Sequence, residues 1–293
     1  MTPDEYLYAS EAALRRDEKS VEDDTRALLI LLLWRFRQSL IASLPDTGIG
    51  RQLILNSLLA PLALELETYA QRFRSILLTR LEFVDEEHSR RAADYAALAM
   101  TLRDYRPRRG DALLGTARSG GRSLLALFAP DPRTGLSPFT AAHLRVIRAK
   151  LIAAVMRDDP TIEIARTVVA ERVRQGFIQP INSRGTLYSA LRNRDTALIA
   201  NAIWEVSGQA ERAVFERQAY LTARPFVQEA TGAPPFASAG WRYHALLDPK
   251  TCPICRPLDG LTSPRYTGFP YVPPVHPRCR CRILPIPTPA PAN

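Results

Sequence analysis

Five residues near the C-terminus have the types and spacing for coordination chemistry. Cys252 and Cys255 form C-x-x-C, and His276, Cys279 and Cys281 form H-x-x-C-x-C about twenty residues later. No cysteine precedes this cluster. Thiolate and imidazole are the ligands of structural zinc, which is tetrahedral and takes four of them. C-x-x-C closes a tight turn with both sulfurs toward one ion, and His276 and Cys279 repeat that spacing for a second turn. Cys281 is expected to share a strand face with Cys279, because side chains alternate along a strand. The expected set is Cys252, Cys255 and Cys279 with either His276 or Cys281. A disulfide, for example Cys255 with Cys279, is the alternative.

The N-terminal "MTPDEYLYASEAALRRDEKS" carries acids and no apolar signal core. The chain is therefore expected to stay in a reducing cytoplasm, which favours metal over disulfides. A thioredoxin-like redox pair fits poorly, since Pro257 follows Cys255 closely and no βαβ pattern surrounds it. A nuclease-like reading needs a second group to activate water, and only His244 with Asp248, four apart, offers one. The chain has no phosphate loop, no nucleophile elbow and no H-E-x-x-H. It reads as no enzyme.

The elements that must position these residues are mostly helical. Residues 5–44 have apolar positions every three or four residues, closed by Pro45. A second helix spans about 52–102, with Leu62, Leu66, Tyr69, Phe73 and Leu77 on one stripe. Pro61 should kink it or start a new helix. His88 lies among charges and reads as a surface residue, and His143 reads as a helical residue rather than a ligand. Ser137 is a candidate N-cap with Pro138 at the first helical position. Thr161 should cap a further helix closed by Gly176. After a turn near "INSRG", Asp195 or Thr196 should open another helix running to about residue 223.

From Trp241 the helical period stops, and "WRYHALL" and "RCRCRILPI" read as short strands. The expected fold is mainly α, an elongated helical body with a small C-terminal β-rich, zinc-knuckle-like module. Its parts are a helical region 1–102, an Arg/Gly-rich loop or linker 103–136, a helical domain 137–232, a Cys/His module 233–285 and a Pro-rich tail 286–293. The module should be stapled by something other than a core. The longest apolar run, "ALLILLLW" at 27–34, is too short to cross a bilayer, so no membrane partner is expected.

Net charge is +9 over 293 residues. Residues 103–123 hold six arginines (Arg103, Arg106, Arg108, Arg109, Arg118 and Arg122) against two aspartates, net +4. Residues 241–293 hold seven Lys/Arg against two aspartates, net +5. Together they account for the whole excess. Such stretches suit a polyanion such as double-stranded DNA, or are simply a solvated face.

The order "W…LLDPKTCPICRPLDGLTSP…YVPPVHPRCRCRILPI" closely resembles the C-terminal signature of the phage Mu F-like minor head (head morphogenesis) proteins. The matching residues are Trp241, Asp248, Thr251, Cys252, Cys255, Leu258, Asp259, Gly260, Pro273, Pro274, His276, Pro277, Cys279, Arg280, Cys281 and Pro285. The strong match covers about 45 residues. The helix "NRDTALIANAIWEVSGQAERAVFERQA" is similar, less specifically, to the one that precedes the signature. The resemblance implies a structural virion component, present in few copies at the portal vertex or head interior and in the host cytoplasm during assembly. Its implied partners are the portal protein, capsid or scaffold proteins and DNA. Some members carry toxin or transferase domains beyond the signature, and none is expected here. Looser relatives replace the first and last cysteines, which implies Cys255, His276 and Cys279 as the constant set. The Leu258-Asp259-Gly260 turn implies a rigid knuckle, its Asp bonding local backbone N–H groups and its Gly left-handed.

Overall fold

The computed structural model of the chain describes residues 2–43, 51–100, 118–119, 122–155, 187–222, 240–276 and 278–286. Among them are five helices: α1 (Pro3–Ser43), α2 (Arg51–Met100), α3 (Leu124–Phe128), α4 (Pro138–Val155) and α5 (Leu187–Thr222). The strands are β1 (Arg118–Ser119), β2 (Arg122–Ser123), β3 (Trp241–His244), β4 (Thr262–Ser263) and β5 (Arg282–Pro285). The chain is mainly helical with a small C-terminal sheet, as its periodicity predicts. No helix among the described residues is long and apolar enough to cross a membrane.

Two compact units divide the chain. One comprises Met1–Lys19, Thr79–Gly121 and Ala200–Asn293, the other Ser20–Leu78 and Arg122–Ile199. The second unit is built on the stripe expected of α2: Leu62, Leu66, Tyr69, Phe73 and Leu77 are all buried. Phe128 of α3 and Phe139 of α4 stack on it, with ring centroids 5.0 Å apart and Phe73 5.1 Å from Phe139. Ser137 caps α4 as expected, its Oγ accepting the Thr140 N–H at 3.2 Å. His143 is fully buried against Phe139 and shares Asp195 with Tyr69, at 2.9 and 2.6 Å.

Three expectations change. α2 runs unbroken past Pro61, so that proline starts no new helix. α5 begins at Leu187 rather than at Asp195, which lies buried in its interior accepting those two bonds. Asp195 stands more than two turns inside α5, past the first-turn N–H groups that a capping side chain serves. His88 is not a surface residue: it is 0% exposed, and Asp85 and Ser89 are buried beside it. The expected helix capped by Thr161 and closed by Gly176, and the turn near 181–185, lie outside the described residues.

In the first unit Tyr6 of α1, Tyr95 of α2 and Phe215 of α5 cluster, Tyr6 lying 4.6 Å from Tyr95 and 6.5 Å from Phe215. The C-terminal sheet, antiparallel in the order β4–β3–β5, joins the same core. Tyr243, Ile283, Leu284, Phe269 and the buried cysteines pack in one hydrophobic cluster with residues of α1, α2 and α5. The module is therefore not coreless. Alone it is small, and it borrows helical surface to complete its interior. Gly208 of α5 permits the approach: a Cβ there would sit 3.3 Å from the Pro274 ring.

Candidate metal centre

The Cys252–Cys255 segment folds as the C-x-x-C spacing demands. The Cys255 N–H donates to the Cys252 carbonyl and lies 3.2 Å from the Cys252 sulfur, and a short 3-10 turn, Arg256–Leu258, follows. A second turn is closed by the Cys279 N–H on the His276 carbonyl at 3.1 Å. Cys279 and Cys281 do not lie on a strand, because β5 begins only at Arg282. They converge through this turn instead of through strand alternation.

The donor atoms form two groups, Cys252/Cys255/His276 and Cys255/Cys279/Cys281, each spanning no more than 4.8 Å. Cys255 belongs to both. Its sulfur lies 3.6 Å from His276 Nε2 and 3.9 Å from the Cys279 sulfur. Around a tetrahedral zinc with Zn–S of about 2.3 Å and Zn–N of about 2.0 Å, those separations would be about 3.5 and 3.8 Å. The donor chemistry and spacing fit a metal ion. All four cysteines are free thiols, and the 3.9 Å between Cys255 and Cys279 sulfurs is well beyond the roughly 2.05 Å of a disulfide bond.

Protons are unevenly shared in the cluster. The Cys279 thiol is pulled down to about 5, first by a hydrogen bond from Cys281, against the upward push of burial. Donating that bond, together with burial, drives the Cys281 thiol up. Burial pushes Cys255 up to about 12, and Tyr243 donates its hydroxyl to the same sulfur at 3.7 Å. A metal ion would take thiolates, so its binding releases protons.

The other signature residues build the frame. Arg280 is forked on Asp248, and the Asp248 carboxylate also accepts the Lys250 N–H at 2.8 Å. Thr251 bonds the Leu246 carbonyl. Asp259 accepts the Ala245 N–H at 2.8 Å, a partner 14 residues back rather than a local one. Gly260 is left-handed as expected, at φ 79°, and its N–H bonds the Tyr243 carbonyl. Trp241 is buried edge-on to Tyr266 at 5.2 Å. His244 and Asp248 belong to neither donor group. Asp248 is occupied by Arg280, while His244 lines a cleft of about 340 Å³ with Arg242, Asp259 and Asp4.

The positive charge of the module is partly spent inside the protein. Arg278 pairs with Glu18 at 2.7 Å, Arg280 with Asp248 and Glu11, and Arg282 with Glu211 at 2.5 Å. Arg103, Arg106, Arg108 and Arg109 lie outside the described residues, and Arg118 and Arg122 fall in β1 and β2.

Sequence reasoning missed Glu211 and Ser207, which meet Arg282 in the interior, and His88, which bonds both of them. The signal was an arginine heading the otherwise apolar "RILP", since a cation there needs a buried acid. Compared with family models, curated proteins and solved structures, the chain matches none.

Proposed function

We propose that this chain is a structural, non-enzymatic minor head protein of a phage, acting at the portal vertex in head assembly and DNA packaging or delivery. A structural zinc ion held among Cys252, Cys255, His276, Cys279 and Cys281 ties its C-terminal module together. The reading rests on the Mu F-like signature, and the observation that carries it is the use to which those residues are put. Arg280, Asp248, Thr251, Asp259, Gly260 and Trp241 all make framework contacts. A signature spent on scaffolding suits a component whose work is docking. The test is co-expression with portal and capsid proteins, followed by imaging of the head vertex. Density for this chain at the portal in few copies supports the reading; heads that assemble and fill without it contradict it.

A zinc-dependent nuclease-like protein is the second reading, favoured by the cleft that holds His244, Asp259 and Arg242. Purified protein incubated with DNA and a divalent metal separates the two. Strand cleavage that disappears in His244→Ala would replace the structural reading.

A further inference from the structure

Arg282 is 4% exposed and follows Cys281 directly. Its NH1 donates to the carbonyl oxygens of Cys279 and Cys281, at 3.1 and 2.9 Å. Nε donates to Glu211 Oε2 at 2.5 Å, and NH2 to Ser207 Oγ at 3.3 Å. Behind them, His88 Nδ1 lies 3.1 Å from Glu211 Oε1 and 3.0 Å from Ser207 Oγ. Glu211 and Ser207 stand one turn apart on α5, His88 on α2, and all three are about as buried as side chains can be. A buried ion pair is an expensive way to hold a strand, and apolar residues of similar volume often stabilise as well. What an apolar residue cannot do is grip two carbonyls at once. Those carbonyls belong to the two cysteines of the C-x-C pair.

We propose that Arg282 is a positioning residue of the metal centre. Anchored on Glu211 and Ser207, it fixes the backbone of residues 279–281 so that both sulfurs stand at ligand spacing before an ion arrives. His88 orients Glu211 from the far side. Groups that orient metal ligands from behind in this way set affinity as well as geometry. The network also ties ion binding to the packing of α2 and α5, so each stabilises the other. This inference rests on the metal reading of the five donors.

The test is Co²⁺ titration of the full-length reduced protein against a competing chelator, following the thiolate–cobalt charge-transfer and d–d bands. Wild type is measured first: if it binds no Co²⁺ through thiolates, the metal reading itself fails, and this inference with it. Given binding, Arg282→Lys keeps a cation opposite Glu211 but loses the double grip on the carbonyls. Its Co²⁺ affinity should fall about 10–100-fold, with shifted or broadened d–d bands and wild-type helical circular dichroism. Ser207→Ala, which removes one anchor without touching the cysteine turn, should lose affinity in the same direction by a smaller factor. A folded Arg282→Lys with wild-type affinity and band positions overturns the proposal. Should Arg282→Lys fail to fold, unchanged affinity in Ser207→Ala overturns it instead.

Discussion

Arg280 holds Asp248 in a two-bond fork, its NH1 and NH2 reaching Oδ2 and Oδ1 at 2.5 Å each. NH1 also reaches Glu11 of α1 at 3.3 Å, so one guanidinium ties the loop after β3 to the first helix. The fork, with the Lys250 N–H, holds the Asp248 carboxyl well below the usual carboxylate range. Its contribution to stability is therefore complete above about pH 4, the ordinary Asp value, and is lost as pH falls below that. Asp248→Asn should lower stability at pH 7 by about 1.5–3 kcal/mol, the scale of hydrogen bonds to charged groups. The gap between variant and wild type should narrow in acid. Urea unfolding at pH 7 and pH 3 checks both, and a gap that does not shrink would mean the charge contributes nothing.

His88 gives a sharper contrast between expectation and structure. A surface histidine changed to alanine would alter stability by less than about 0.5 kcal/mol. Enclosed at 0% exposure against Glu211 and Ser207, its loss leaves a cavity and strips a partner from a buried carboxylate. His88→Ala should cost about 2–4 kcal/mol in chemical unfolding.

His88, set beside the local elements, shows where a sequence can be read and where it cannot. The stripe from Leu62 to Leu77, the Ser137 cap, the Cys252–Cys255 turn and the left-handed Gly260 are local features, fixed by periodicity or turn chemistry within a few positions. His88 stands among Asp85, Glu86, Glu87, Arg90 and Arg91, so its neighbours in the chain look solvated. Its true partners are on α5, 119 and 123 residues away, and no local pattern names them. The same holds for the cysteines. Their spacing picks them out as candidate ligands, but the strand expected to carry Cys279 and Cys281 starts only at Arg282, after both. The expectation of a module without a core fails for the same long-range reason, because residues of α1, α2 and α5 complete the cluster into which its own apolar residues pack.

Gly260 offers a test of the knuckle's rigidity. With φ at 79° and its N–H engaged by Tyr243, a Cβ is strained there whatever space surrounds it. Gly260→Ala should destabilise by about 1–2 kcal/mol. Thermal unfolding reads the loss, followed by tryptophan fluorescence in a variant whose Trp34 and Trp204 are replaced by phenylalanine so that Trp241 alone reports.

If the Arg-rich stretch follows a phosphate backbone, DNA affinity should fall steeply with salt and show little sequence preference. Replacing Arg106, Arg108 and Arg109 together by alanine should flatten the log–log salt slope by up to about 2.7, roughly 0.9 per lost contact. Arg278→Ala should leave the slope unchanged, since that cation is already paired with Glu18. An unchanged slope in the triple variant would make the stretch a linker or a protein-contact segment.

The direct test of the metal centre is elemental analysis of protein purified under reducing conditions, paired with chelation. About one zinc ion per chain is expected, because a structural site takes four ligands and every donor group here includes Cys255. Chelation should loosen residues 241–285 and the helix ends that share their core, seen as faster amide exchange there. The aromatic core of Phe73, Phe128 and Phe139 should stay protected. Cys255→Ser should abolish uptake, whereas Cys281→Ser should only weaken it. Reduced protein that contains no metal, yet keeps this module as well protected as before, would contradict the account.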